Sequence, residues 1–199
     1  MLPEFVEIVT WNDYGESHYI GPIDDGGIPP GAAEYVDGYP HEAWLQTLPY
    51  QIAAYKHAYD PSSPAPSVAA GEDKIVFWYR LSPASAGTTD ATGNDCKSAI
   101  NTYGYQTCYP MDEVLEDGVF AIVLASASTS PTIAVGGDQA SFDGLTAGIN
   151  FISRPFGGAL GEVTVSTGSG VSREGAAIVA EPQSGTANFN AWVGCAGAC

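Results

Sequence analysis

The sequence predicts two parts: an α/β fragment of strand, polar loop and helix over residues 1–60, and an all-β antiparallel sandwich over 72–199, joined by a proline-rich linker at 61–71. Three observations carry this. An early apolar run ends in a cluster of aromatic and hydrogen-bonding residues, and an apolar pattern at helical spacing follows it. Beyond residue 71 that period disappears, and short apolar runs alternate with Gly, Ser, Asn and Asp turns.

The first run, Glu4 to Thr10, alternates and then turns continuously apolar, which predicts a short strand buried between layers. It leads into Trp11-Asn12-Asp13-Tyr14-Gly15-Glu16-Ser17-His18-Tyr19 and then a Gly- and Pro-rich loop from Gly21 to Gly38. From Tyr39 to Tyr59 the residues Trp44, Leu45, Leu48, Ile52, Tyr55 and Tyr59 mark one face of a helix. Pro49 lies inside it and predicts a kink or break, because proline lacks the N–H that the helix needs. One such unit cannot stand alone, since a buried parallel strand needs neighbours on both edges. The first sixty residues are therefore expected to fold poorly without covering strands, and the chain to be part of a longer one.

The linker, Asp60-Pro61-Ser62-Ser63-Pro64-Ala65-Pro66-Ser67, is stiffened by its prolines. After it, strands are expected at Lys74–Leu81, Gly118–Ala125, Thr132–Val135, Gly148–Ser153, Gly161–Thr167, Ala176–Ala180 and Asn188–Val193. Seven or eight short strands at this spacing argue for a sandwich. The insert from Pro83 to Met111 reads as a long loop.

The 23 acidic residues outnumber 6 basic ones for a formal charge of −17, a field that repels phosphate backbones and anionic headgroups and excludes nucleic acid and membrane surfaces as partners. Charged residues are nonetheless only 15% of the chain, a balance that suits a secreted protein acting on a neutral polymer. No signal peptide follows Met1 and no apolar run is long enough to span a membrane. Cys96, Cys108, Cys195 and Cys199 have no CxxC or His/Cys companions, so disulfides are expected, with three connectivities open.

The Trp11–Tyr19 stretch carries the chemistry. Glycoside hydrolysis needs two carboxyl groups, flanked by aromatic faces that stack on sugar rings. Asp13 and Glu16 supply carboxyls, Trp11, Tyr14 and Tyr19 flat apolar faces, and Asn12 and His18 groups that bind hydroxyls. The same acids also suit a purely structural role, capping turns or accepting backbone N–H groups, and His18 suits a histidine bonded to a neighbouring carboxylate. Trp44 and Trp78 read as core, while Tyr103, Tyr105, Tyr109 and Trp192 offer further stacking surfaces. Asp24-Asp25-Gly26-Gly27 lacks the spacing of a calcium loop, so no metal is assigned, and no cofactor motif appears.

The string Val9-Thr10-Trp11-Asn12-Asp13-Tyr14-Gly15-Glu16-Ser17-His18-Tyr19-Ile20-Gly21-Pro22 resembles glycoside hydrolase family 71, the fungal α-1,3-glucanases or mutanases. The resemblance continues through His41-Glu42-Ala43-Trp44 and Asp73 to Arg80 and ends near Asn188-Phe189-Asn190-Ala191. It implies that residues 1–60 are the last strand, loop and helix of a TIM-type (β/α)8 barrel, that the substrate is α-1,3-glucan, hydrolysed with inversion, and that the protein is secreted by a fungus. It also implies an acid and base on earlier barrel strands, so no catalytic residue is expected in this chain. Trp11, Asn12, Asp13, Glu16, His18 and Tyr19 are expected to bind substrate. Two other readings compete: a sandwich that binds glucan without hydrolysing it, or a barrel hydrolase acting on another polysaccharide such as mannan.

Overall fold

Eight strands build two sheets whose apolar faces meet. The computed structural model describes residues 2–87, 114–180 and 187–199. Its strands are β1 (Lys74–Arg80), β2 (Gly118–Ala125), β3 (Thr132–Val135), β4 (Asp138–Ser141), β5 (Gly148–Pro155), β6 (Gly161–Ser166), β7 (Ser172–Ile178) and β8 (Ala191–Gly197). They form two four-stranded antiparallel sheets, ordered β5-β2-β1-β8 and β4-β3-β6-β7. From the first sheet Ile75, Phe77, Tyr79, Val119, Ala121 and Val123 point inward, and from the second Ile133, Val135, Val163, Val165 and Ile178 meet them. The sequence expectation of a sandwich holds, with β4 added as the short strand it missed and with β7 and β8 sharing only three residues each with the expected Ala176–Ala180 and Asn188–Val193. Two glycines with positive φ, Gly136 and Gly137, turn the chain between β3 and β4, a two-residue hairpin loop of the kind that matches strand twist.

β1, β2 and β8 of the first sheet are covered on both sides, while β5 at its edge stays open, with Phe151 71% exposed. β1 and β2 read as nearly unbroken apolar runs, because a strand covered on both faces has no solvent side to make polar. On the outer face Ile122 and Leu124 meet Val68 and Tyr50, and Val76, Val193 and Cys195 meet Ala43 and Trp44. Trp44 and Trp78 touch edge to face with centroids 6.1 Å apart. Both tryptophans are packing residues, as expected, and Trp192 is a third, set against Phe77 and Tyr79.

The covering segment starts as a 3-10 turn at Glu42–Thr47 and becomes an α-helix, α2, at Leu48–Tyr59. Pro49 falls in the first turn of α2, where its missing N–H costs nothing. No break falls at Pro49 itself, and the change of helix type comes just before it, between Thr47 and Leu48. A shorter helix, α1 (Ala33–Val36), lies in the stretch read as loop.

The expected strand over Glu4–Thr10 does not form. Phe5 is 80% exposed, and Val6, Ile8 and Val9 are each at least half exposed. The physical reason is the absence of a neighbour: among the described residues no strand lies beside this run, so its backbone has no ladder to join and its side chains no layer to enter. The insert that carries Cys96, Cys108, Tyr103, Tyr105 and Tyr109 lies outside the described residues. Cys195 pairs with Cys199 across a tight turn, with Cα atoms 6.1 Å apart.

Candidate functional site

The Trp11–Tyr19 loop is folded by its own main chain. Thr10 N–H donates to the His18 carbonyl (3.0 Å), Ile20 N–H to the Thr10 carbonyl (3.1 Å) and Gly21 N–H to the Trp11 carbonyl (2.8 Å), which draws the two ends together. At the tip Tyr14–Glu16 makes a 3-10 turn that ends on Ser17 at φ 58°. The hydroxyl of Thr10 accepts from the Asp13 N–H (2.9 Å).

Tyrosines hold this loop from inside. Tyr14 and Tyr19 are buried with Ala32 and Val36 in a small core of their own, their rings 5.1 Å apart. The Tyr14 hydroxyl donates to the Pro22 carbonyl (3.0 Å) and accepts from the Asp24 N–H (2.8 Å). The Tyr19 hydroxyl donates to the Tyr39 carbonyl (2.6 Å) and accepts from the Asn190 Nδ2 (3.0 Å). Burial pushes the Tyr19 hydroxyl pKa up to about 12, opposed mainly by the Asn190 bond. Tyr19, expected to bind substrate, is thus wholly enclosed and its hydroxyl fully engaged, and Tyr14 likewise has no face to offer a sugar.

With the tyrosines inside, the other expected residues are left outside and together. Trp11 is 59% exposed and Asn12 is exposed beside it. Side-chain donor atoms of Asp13, Glu16 and His18 all lie within 4.8 Å of one another. The His18 Nδ1 is 3.5 Å from Glu16 Oε2, and these two side chains are 50% and 70% exposed. The loop therefore presents an indole, a carboxamide, two carboxyls and an imidazole to solvent. Such a surface binds sugar by stacking on apolar ring faces and bonding hydroxyls. A resident cation would need donors held about 2 Å from one centre, and nothing fixes these open side chains at that spacing. Asp24 Oδ1 accepts from Gly26 N–H (3.1 Å), so the Asp24–Gly27 acids shape a turn.

Three residues that tie this loop to the sandwich went unassigned from sequence: His41, Asn188 and Asn190. Asn190 Nδ2 also donates to the Tyr35 carbonyl (2.8 Å), which Asn188 Nδ2 meets at 3.2 Å. The His41 ring lies between the Tyr19 and Ala191 carbonyls. Only their place in the strings that carry the family resemblance hinted at them; long-range pairs leave no periodic trace.

The model of glycosyl hydrolase family 71 matches residues 1–198. The chain is 32% identical over 204 residues to the glucan endo-1,3-alpha-glucosidase agn1 of Schizosaccharomyces pombe, covering 96% of this chain and 41% of that protein. It is 31% identical over 206 residues to a mutanase of Penicillium rubens, covering 98% and 40%. An ascus wall endo-1,3-alpha-glucanase of S. pombe is 34% identical over 88 residues, 42% of this chain and 20% of that protein. No solved structure matches. The chain spans about two fifths of the length of the first two relatives, and with the family model covering nearly all of it, the chain belongs to glycosyl hydrolase family 71.

Proposed function

We propose that this chain supplies one wall of a site that hydrolyses α-1,3-glucan, with Trp11, Asn12, Asp13, Glu16 and His18 facing the polysaccharide. The carrying observation is the open cluster of Asp13, Glu16 and His18 beside the exposed Trp11 indole. The names of the relatives, a glucan endo-1,3-alpha-glucosidase and a mutanase, point to the substrate, and an ascus wall glucanase among them supports action outside the cell on wall glucan.

In this proposal residues 1–60 are the closing strand, loop and helix of a (β/α)8 barrel, 61–71 a linker and 72–199 the sandwich that supports it. The exposed Phe5, Val6, Ile8 and Val9 support it, because contiguous apolar surface of this kind is ordinarily covered, and further barrel strands would cover it. The hydrolysis is a single displacement with inversion. A carboxyl pair about 6.5–9.5 Å apart then admits water on the far face of the sugar. Asp13 and Glu16 hold hydroxyls and, as anions, raise the pKa of a neighbouring acid that must stay protonated.

A second reading is favoured by one distance. Carboxyl oxygens of Asp13 and Glu16 approach within 4.8 Å, too close for the inverting geometry but near the roughly 5–5.5 Å of a retaining nucleophile and acid; the pair would then be the machinery of a retaining reaction. Asp13→Asn and Glu16→Gln separate the two. Retention on insoluble α-1,3-glucan that falls about tenfold in both supports the wall. Sugar release by the parent chain that each change cuts about a thousandfold, with retention intact, supports the catalytic pair. A parent chain that neither binds nor cleaves α-1,3-glucan, or that prefers mannan, overturns both.

A further inference from the structure

His41 is 1% exposed, and everything around its ring is arranged to fix it. Its Nδ1 is 2.8 Å from the Tyr19 carbonyl and its Nε2 is 3.0 Å from the Ala191 carbonyl. The first carbonyl stands where the exposed loop ends, the second at the start of β8 in the sandwich. The ring stacks on Tyr19, with centroids 4.0 Å apart and planes 9° apart, and leans on Trp44 at 4.8 Å. Next to it the Val193 N–H donates to the Pro40 carbonyl (3.2 Å).

We propose that His41 is a positioning residue for the glucan-facing loop: its imidazole joins the main chain at the loop's exit to the first residue of β8 and so sets where the Trp11–His18 surface stands on the sandwich. The linkage is independent of the function proposed above; its effect on substrate rests on that reading.

The chemistry of the cradle makes the link sensitive to pH. Both partners are carbonyl oxygens, which only accept, and a neutral imidazole has a single N–H to donate. The buried ring therefore serves one carbonyl well at neutral pH and both only when doubly protonated. Burial opposes the second proton and holds the His41 pKa below the usual imidazole value, while the two carbonyls and Asn190 pull it back up. The ionisable side chain packed on the ring is Tyr19, on which Asp37 acts in turn; Tyr39 and the exposed Glu42 lie close in sequence, and neither Asn190 nor Ala191, the first residue of β8, carries an ionisable side chain. No carboxylate is among the groups that act on its proton. With the docked value lowered, the docked arrangement is favoured above the free imidazole pKa near 6.5 and loses stability as the pH falls through the lower value.

Amide hydrogen exchange on the whole chain tests this without any assay of activity. His41→Phe keeps a stacked ring and removes the ring nitrogens that face the two carbonyls, and His41→Gln keeps hydrogen-bonding groups and removes the titration. With intrinsic rates corrected, the Thr10, His18, Ile20 and Gly21 amides exchange about tenfold or more faster in His41→Phe at pH 7, while β1 and β2 amides are unchanged. In the parent these loop amides lose protection between pH 7 and 5, and in His41→Gln they do not. Unchanged loop protection in both variants, an identical pH profile in parent and His41→Gln, or equal loss across the sandwich overturns the proposal. Faster loop exchange with undiminished glucan retention leaves the link standing and removes the loop from the substrate wall.

Discussion

Replacing Gly21 by Ala is the sharpest probe of how the exposed loop is built. A methyl group there would lie 2.7 Å and 2.9 Å from the Trp11 indole carbons Cε2 and Cδ2 and 2.8 Å from the Trp11 carbonyl oxygen. The indole is more than half exposed and can swing aside. The carbonyl cannot, because it accepts the Gly21 N–H at 2.8 Å, the bond that closes the loop. Overpacking of this kind costs about 1–3 kcal/mol, and a local opening made easier by that amount exchanges the amide at position 21 about 5- to 150-fold faster. Gly15→Ala is the control within the same loop, since its added methyl finds nothing closer than 3.8 Å and should cost less than about 0.5 kcal/mol. Exchange followed by mass spectrometry at near-neutral pH, with retention on insoluble α-1,3-glucan alongside, reads both variants. Unchanged exchange in Gly21→Ala, or equal losses in the two, would refute the reasoning that the close approach of the Trp11 carbonyl leaves no room for a methyl group at position 21.

The adjacent turn glycines make a similar contrast. A methyl on Gly136 would meet the Leu160 carbonyl oxygen at 1.9 Å, whereas on Gly137 it meets nothing within 4 Å, and both have positive φ. Gly137→Ala should cost about 1 kcal/mol of left-handed strain and Gly136→Ala clearly more, read from urea midpoints at constant slope. Tyr19 should impose an alkaline limit. Its hydroxyl stays protonated in the fold to about pH 12 but ionises near 10 when unfolded, so stability on the order of 1–2 kcal/mol, present below pH 10, is lost between pH 10 and 12. Tyr19→Phe should flatten that part of the profile in an alkaline unfolding series. Reducing the Cys195–Cys199 bond, which closes a loop of four residues' separation, should cost only about 2 kcal/mol on the chain-entropy model, measured by urea unfolding with and without reductant.

The sandwich was legible because its strands obey local rules. Runs such as Gly118–Ala125 and Thr132–Val135 coincide with β2 and β3, bounded by turns that a sequence displays openly. β4, Asp138-Gln139-Ala140-Ser141, was not, because an edge strand with three polar, exposed residues and a single alanine carries no apolar alternation. The loop at Trp11–Tyr19 was legible as a cluster but not as an arrangement. Which aromatic faces out depends on a small core assembled from Tyr14, Tyr19, Ala32 and Val36, and a tyrosine that stacks on sugar looks the same in sequence as one that braces a loop. Glu4–Thr10 shows the opposite limit: its pattern reads as a buried strand, and among the described residues no strand lies beside it.

The outer face of the β5-β2-β1-β8 sheet bears on how the two parts work together. A sandwich serving as an independent binding module would turn a polar or sugar-stacking face to solvent. Here Val76, Ile122, Leu124, Val193 and Cys195 are buried on that side, under Ala43, Trp44, Tyr50 and Val68. Lys74, also buried, reaches across to Gln46 Oε1 at 3.4 Å. The segment that covers the sheet is the one that begins at His41 and follows the exposed loop, so the loop inherits its position from the sandwich. Trp44→Ala tests the dependence. Removing a half-buried indole wedged between His41 and Trp78 should cost about 3 kcal/mol or more and release the loop amides before those of β1 and β2. If the loop kept its protection while the sandwich weakened, the sheet would be a neighbour of the loop and not its foundation.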